Sequence, residues 1–116
     1  MTKNKNPWKR LLRKVEHCGS ENATRSRIKE VTITEEDLIE QWDIQDGKCY
    51  WLGVPLDIND VYTTHNPFSP SVDRLDNAKD YHKDNIVISS TFANLGRGQL
   101  DERMFTLFIL YLKENL

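Results

Sequence analysis

The sequence contains little cysteine and no long hydrophobic run. Its two cysteines, Cys18 and Cys49, form no CxxC pair, so a four-cysteine zinc site cannot be built within one chain. One disulfide is an option, but two reduced thiols in a cytoplasmic protein are the simpler expectation. No stretch of about 18 apolar residues occurs, which argues against a membrane-spanning helix. No apolar segment follows the basic stretch MTKNKNPWKR, so a secretory signal is not expected.

Charge is distributed unevenly along the 116 residues, a length that suits one domain with one modest core. Residues 1–30 hold nine Lys and Arg against three Glu, a net charge of +6. Residues 31–116 hold seven Lys and Arg against fifteen Asp and Glu, a net charge of −8. A basic N-terminal helix and loop (1–30) before an acidic body (31–116) is typical of a phosphate-binding arm. The alternative is an amphipathic helix whose charged face is only solvated.

The N-terminal helix is predicted over residues 7–18. Asn6 can cap it, Pro7 suits its first position, and Gly19 suits the position after its end. Its apolar residues recur with helical spacing and form one face: Trp8, Leu11, Leu12, Val15 and Cys18. Its basic residues fall mostly off that face and could contact nucleic-acid phosphates: Lys9, Arg10, Arg13 and Lys14.

A second helix is predicted over about 35–45, with Thr34 as its N-cap and acids in its first turn. Its expected buried face consists of Leu38, Ile39 and Trp42. The aromatic segment KCYWLGVPL then favours a strand or hairpin, and DINDVYTTHNPFSP favours a long loop because of its turn residues and two prolines.

The last third of the chain predicts two short strands and two helices. SVDRL and NIVIS are the strands, joined by DNAKDYHKD, with the second strand expected over 85–89. A short helix follows over 91–95, capped by Ser89 or Ser90. The final helix, over 101–115 with Asp101 as its cap, is apolar around much of its circumference, which is typical of burial or of an interface such as a homodimer. The fold class is therefore expected to be α+β, in a single domain.

The order strand, loop, strand, short helix in residues 71–95 resembles the core of the His-Me finger, or HNH, endonucleases, particularly the small phage-type members. In that family the first strand ends in an Asp-His or His-His pair, an Asn begins the second strand, and an Asn or His follows nine residues later on the helix. Here VDRLD, Asn85 and Asn94 match those elements, and the last two are nine residues apart. The upstream segment WDIQDGKCYWLGVPL also resembles the family, so the similarity covers about 31–98.

The resemblance implies a ββα-metal finger in which Asp73 and Asn94 ligate one divalent cation, Mg²⁺ or another such as Mn²⁺. Asn85 would orient the loop and the general base. One carboxylate and one amide leave positions open for water and phosphate oxygens, the usual state of Mg²⁺ in nucleases. Arg97, just after Asn94, would contact a neighbouring phosphate.

Arg74 stands where the family has its general-base histidine, and an arginine with a pKa above about 12 is a poor base but a good phosphate clamp. His82, in the loop between the strands, is the preferred replacement base. His65 in the preceding loop and Asp76 are further candidates, although Asp76 also suits a tight turn.

The leading hypothesis is therefore a metal-dependent HNH-type endonuclease that hydrolyses phosphodiester bonds in DNA. It is expected to be a phage or bacterial protein that acts in the cytoplasm of the bacterial cell. The first alternative is a finger that has lost its base and binds nucleic acid through Arg74, Arg97 and the N-terminal helix. The second is a structural or regulatory protein that assembles through its C-terminal helix.

Overall fold

The structure is a computed structural model that describes residues 5–21 and 30–116, without the side chains of residues 18–21. It contains four α-helices: α1 (Pro7–Glu21), α2 (Glu35–Ile44), α3 (Thr91–Arg97) and α4 (Glu102–Asn115). Two strands, β1 (Pro70–Arg74) and β2 (Ile86–Ser90), form one antiparallel sheet. Short 3-10 helices occupy Ile58–Tyr62 and Lys83–Asn85. The expected α+β class is confirmed.

Helix α1 begins where the sequence predicts. The Asn6 side chain accepts hydrogen bonds from the backbone N–H groups of Trp8 and Lys9, both at 3.1 Å, and so satisfies two donors of the first turn. The helix continues to Glu21, past the predicted end at residue 18, so Gly19 lies inside it. Leu11 and Val15 are buried, and they pack α1 against α2, β1 and the 3-10 helix Ile58–Tyr62.

Helix α2 also has its predicted start, with a capping box between Thr34 and Asp37. Leu38 is fully buried, as expected, but Ile39 is 38% exposed and does not belong to the buried face. The Trp42 ring is partly buried and packs edge-on against Trp8, with ring centroids 5.4 Å apart.

Residues 47–56 form a tight hairpin turn, one of the two forms that the sequence predicts, without a continuous strand. The Cys49 N–H donates to the Val54 carbonyl at 2.8 Å, and a single antiparallel bridge joins Lys48 to Pro55. Gly53 has a φ of +75°, a left-handed conformation that glycine adopts without strain. The turn places the buried Cys49 and Trp51 side chains beneath the sheet; the Cys49 thiol is free.

The two strands and α3 follow one another as predicted. β1 pairs with β2 in a register that sets Asp73 opposite Val87 and Val72 opposite Ile88. The second strand and the short helix lie within one or two residues of their expected ranges, and no continuous helix crosses residues 80–95. Ser90, one of the two expected caps, accepts from the Ala93 N–H at 3.1 Å and begins α3.

The outer edge of β2 is closed by the Gln45 side chain. Its Oε1 accepts from the Ile88 N–H at 2.9 Å, and its Nε2 donates to the Ile88 carbonyl at 2.7 Å. Nε2 also donates to the Lys48 carbonyl at 2.7 Å. The Tyr50 N–H donates to the same Ile88 carbonyl at 3.0 Å. The Gln45 amide and the Tyr50 backbone therefore occupy the positions that a third strand would take.

Two apolar clusters fill the molecule. One joins α1, α2 and the sheet through residues that include Leu11, Leu38, Val72 and Ile86. The other joins the 47–56 turn, α3 and α4 through Cys49, Trp51, Ala93, Phe105 and Ile109. Among the described residues, no helix is long and apolar enough to cross a membrane.

Candidate functional site

Asp73, the expected first metal ligand, lies on the β1 face that meets α3. Its side chain is 6% exposed. Its Oδ2 atom accepts two hydrogen bonds of 2.9 Å, one from Trp51 Nε1 and one from Arg97 Nη1. The carboxylate therefore already has a cationic partner inside the protein.

Arg97 is enclosed in the core, with 1% of its surface exposed. Besides Asp73, its guanidinium group donates to three backbone carbonyls, those of Arg74, Leu75 and Leu100. It also lies 4.9 Å from the centre of the Trp51 ring, within cation–π range. A phosphate contact by Arg97, as the sequence predicts, would require this network to open.

Asn94, the expected second ligand, binds β1 two residues before Asp73. Its Nδ2 donates to Ser71 Oγ at 2.7 Å and to the Val72 carbonyl at 3.4 Å. A divalent cation at the Asp73 carboxylate would lie beside the buried Arg97 guanidinium, and like charges in a buried site repel strongly. The residues as arranged do not fit the metal that the resemblance implies.

Arg74 stabilises the loop between the strands. Its Nη1 donates to the carbonyls of Asn77 and Lys79, at 2.8 and 3.0 Å. The guanidinium group lies 5.2 Å from the centre of the buried Tyr81 ring. Arg74 remains partly exposed, so one side of the group can still face solvent.

Asn85 and Asp76 hold the same loop from its other end. The buried Asn85 amide accepts from the Asp76 N–H at 2.9 Å and donates to the carbonyls of Asp76 and Asp80 at 3.1 and 3.0 Å. Asp76 accepts from the Ala78 N–H at 2.9 Å, which is the bond of an Asx turn. Asn85 therefore holds the loop in place, and the Asp76 carboxylate is used in the Asx turn at residues 76–78.

His82, the preferred base, contacts residues 30–32 instead of the Asp73 side of the hairpin. Its Nδ1 lies 2.7 Å from Thr32 Oγ1, and its Nε2 lies 3.8 Å from a Glu30 carboxylate oxygen. Within the described part of the chain, Glu30, Asp80 and His82 are also a group whose ligand atoms lie within 4.8 Å of one another. Groups of this kind are common on protein surfaces without an ion.

His65 lines a groove between α1 and α3. This α1–α3 groove has a volume of about 540 Å³ and is bordered by Lys14, His65, Asn66, Phe92 and Leu95, among others. A smaller cavity of about 100 Å³, lined in part by Lys14, Ser71 and Asn94, adjoins it through Lys14. The structure therefore brings Lys14, His65 and Asn94 to one side of the molecule, a grouping that sequence spacing did not predict.

Among the basic residues of α1, Lys14 lines this groove. Lys9, Arg10 and Arg13 are exposed, and Lys14 is half-buried. The Arg10 guanidinium lies 5.9 Å from the centre of the Tyr62 ring, and the Lys5 ammonium 4.8 Å from it. Because Leu11 and Val15 fix the opposite face in the core, the helix presents its charges outward in a set orientation.

Two contributors to the site were missed by the sequence reasoning, Trp51 and Gln45. Trp51 binds the Asp73 carboxylate, and Gln45 binds the strand that leads into α3. The sequence did carry one signal for Trp51. Its ring N–H needs a hydrogen-bond acceptor when the side chain is buried, so a polar partner could have been expected. The chain matches no protein-family model, and no curated protein matches it.

Proposed function

We propose that the protein is a DNA-binding ββα finger that no longer cuts. The observation that carries the proposal is the enclosure of Asp73 by Arg97 and Trp51, at the position where a nuclease of this kind would need an open carboxylate. An internal guanidinium supplies the positive charge that a metal would otherwise bring to that carboxylate. A finger that cannot hold the catalytic metal can still bind DNA, and this is the activity we assign to it.

The exposed basic face of α1 supplies the phosphate contacts in this proposal. Lys9, Arg10 and Arg13 carry three positive charges on one exposed helix surface, beside Lys14 at the mouth of the α1–α3 groove. Each phosphate that is neutralised releases condensed counterions, so affinity falls with salt by a slope of about 0.9 per phosphate on duplex DNA.

The α1–α3 groove supplies a second, apolar binding surface. Phe92 and Leu95 line it and are 66% and 78% exposed, so the two side chains together form an apolar wall beside Lys14. An exposed aromatic ring beside cationic side chains suits a nucleotide whose phosphate meets Lys14 or His65 and whose base stacks on Phe92.

Fluorescence anisotropy with labelled single-stranded and duplex DNA, over about 50–300 mM salt, tests the electrostatic part. Changing Lys9, Arg10 and Arg13 together to Gln should reduce the salt slope by roughly one for each phosphate that the variant no longer neutralises. The matched control changes three exposed lysines on other elements, Lys48, Lys83 and Lys113, to Gln and should leave the slope unchanged. Equal effects of the two triple variants would contradict a specific role for α1.

Phe92→Ala tests the groove separately. Loss of a stacked base should cost about 1–3 kcal/mol of binding free energy at every salt concentration, with the salt slope unchanged. Phe68→Ala is the control, because Phe68 is a similarly exposed ring, 52%, that does not line the groove.

A metal-dependent endonuclease is the second candidate function. It is favoured by the retention of Asp73, Asn85 and Asn94 at the family spacing. Incubation of supercoiled plasmid with the protein and Mg²⁺ or Mn²⁺ separates the two. Under the first proposal no cleavage occurs; nicking that disappears in Asp73→Asn but persists in the exposed-site control Asp43→Asn would establish the endonuclease instead.

A further inference from the structure

Helix α4 exposes an apolar stripe of four large side chains. Met104, Leu107, Phe108 and Tyr111 are 52%, 48%, 53% and 62% exposed. They recur at i, i+3, i+4 and i+7, so they form one continuous surface over two turns. The helix is held to its own domain mainly by Phe105 and Ile109, which point to a different side.

Two opposite charges border this stripe on the flank away from the domain. At about 100° per residue, Arg103 and Glu114 lie within about 20° of each other around the helix axis, at opposite ends of the stripe. Both are exposed, and neither makes a hydrogen bond or ion pair with the residues that the structure describes. The other flank of the stripe borders Phe105 and is closed by the domain itself.

The apolar stripe and its two flanking charges on α4 are complementary to the same surface of a second copy that runs in the opposite direction. If two copies of α4 lie antiparallel about a two-fold axis between positions 107 and 108, the two Leu107 side chains lie beside each other near the axis, and so do the two Phe108 side chains. Met104 faces Tyr111 of the second copy. A two-fold axis of this kind sets equivalent flanks side by side. Arg103 then lies near Glu114 of the second copy, offset by about 3 Å along the axis at a rise of 1.5 Å per residue, and the contact occurs twice.

We infer that α4 is a self-association surface that binds a second copy of the chain in this antiparallel arrangement. The stripe gives four half-exposed large side chains per copy. Their burial amounts to on the order of 800 Å² for the pair, below the size of standard specific interfaces and in the range of weak, transient ones. An interface of this size gives a weak dimer, whose population depends on protein concentration.

Sedimentation equilibrium over about 1–300 μM protein tests the association, with a concentration-dependent dimer as the expected result. Leu107→Glu places two like charges beside the two-fold axis and should weaken the dimer at least tenfold. Thr106→Glu is the matched control, because Thr106 is exposed on the same helix but lies off the stripe. Circular dichroism of both variants checks that α4 is retained.

The charge pair tests the arrangement itself. Arg103→Glu and Glu114→Arg should each weaken the homodimer, by roughly three- to tenfold, because like charges then meet twice. An equimolar mixture of the two variants should associate more strongly than either alone, since every pair across the heterodimer is again opposite. A monomer throughout the concentration range, or equal effects of Leu107→Glu and Thr106→Glu, would overturn the inference; a mixture no stronger than its components would overturn the antiparallel register.

Discussion

The Asp73–Arg97 ion pair is the residue interaction on which the region around β1 and α3 depends most. Removing one partner of a buried pair typically costs about 3–5 kcal/mol, because the other charge stays desolvated and unpaired. We therefore expect Arg97→Ala to lower the free energy of unfolding by about 3–5 kcal/mol in urea denaturation. Arg13→Ala, at an exposed arginine of α1, should change it by no more than about 0.5 kcal/mol.

A double variant measures the coupling of the two side chains. Asp73→Asn with Arg97→Met removes both charges, so its cost should be well below the sum of the two single costs. Additive costs would mean that the two groups do not interact, and Asp73 would then be available to another cation.

Tyr50 gives a residue-scale test of pH dependence. Partial burial, together with the charge and the hydrogen bond of Glu102, raises the pKa of Tyr50 above its ordinary value. A raised pKa in the folded state contributes stability that is present below the unfolded pKa of about 10 and is lost as pH rises through the folded pKa. We expect the unfolding free energy, measured by urea denaturation, to fall less between pH 9 and 11 in Tyr50→Phe than in the unmodified protein.

At the residue scale, the sequence indicated which positions are unusual but not which partners they have. The residue types at 73, 85 and 94 were informative because their spacing is set by a short hairpin and one helix. The partners of Asp73 come from the 47–56 turn and from the far end of α3, 22 and 24 residues away along the chain. Long-range pairings of this kind follow from the packed fold, and no local pattern specifies them.

The Gln45 bridge to β2 leads to a prediction at the scale of elements. Gln45→Glu keeps an acceptor for the Ile88 N–H but sets a second carboxylate oxygen against the carbonyls of Ile88 and Lys48. The missing donor and the repulsion should destabilise the fold by about 1–3 kcal/mol near pH 7. Gln99→Glu, at an exposed glutamine, should have little effect.

The same substitution has a definite pH dependence. Because the folded state disfavours the ionised carboxyl, its pKa at position 45 is raised in the folded state, and the variant regains stability as pH falls through that value. Urea denaturation at pH 4 and pH 7 should show a smaller difference from the unmodified protein at the lower pH. A difference that grows on acidification would contradict the bridge.

Helix starts were predicted well because a cap is a local feature. Asn6, Thr34, Ser90 and Asp101 each bind N–H groups two or three residues ahead, so the signal and its effect lie in one short segment. For the 47–56 turn the sequence predicted a strand or a hairpin, and the structure has the hairpin, because Gly53 and the bridge at Pro55 bend the backbone back within a few residues. The exposure of Ile39, by contrast, depends on which helices pack on α2, which local spacing does not determine.

For the whole molecule, the two apolar clusters are expected to unfold together because the hairpin separates and contacts both. Trp51 lies in one cluster, whereas Trp8 packs against the other. A variant that keeps only Trp51, with Trp8→Phe and Trp42→Phe, should show the same urea midpoint by fluorescence as by circular dichroism. Two separate midpoints would mean that the clusters are independent units.

The hydrogen bonds between Gln45 and β2 limit how the hairpin and α3 could be transferred to another protein by recombination. The segment 70–98 has the sequence order of a portable motif, yet its second strand accepts a hydrogen bond from Gln45 and donates one to the Cys49 sulfur, and its buried carboxylate accepts one from Trp51. Those three side chains lie about twenty residues or more upstream of the hairpin. Recombination that moved only the hairpin and its helix would leave these bonds behind, so the smallest segment that could pass intact between proteins must also carry the end of α2 and the turn that follows it.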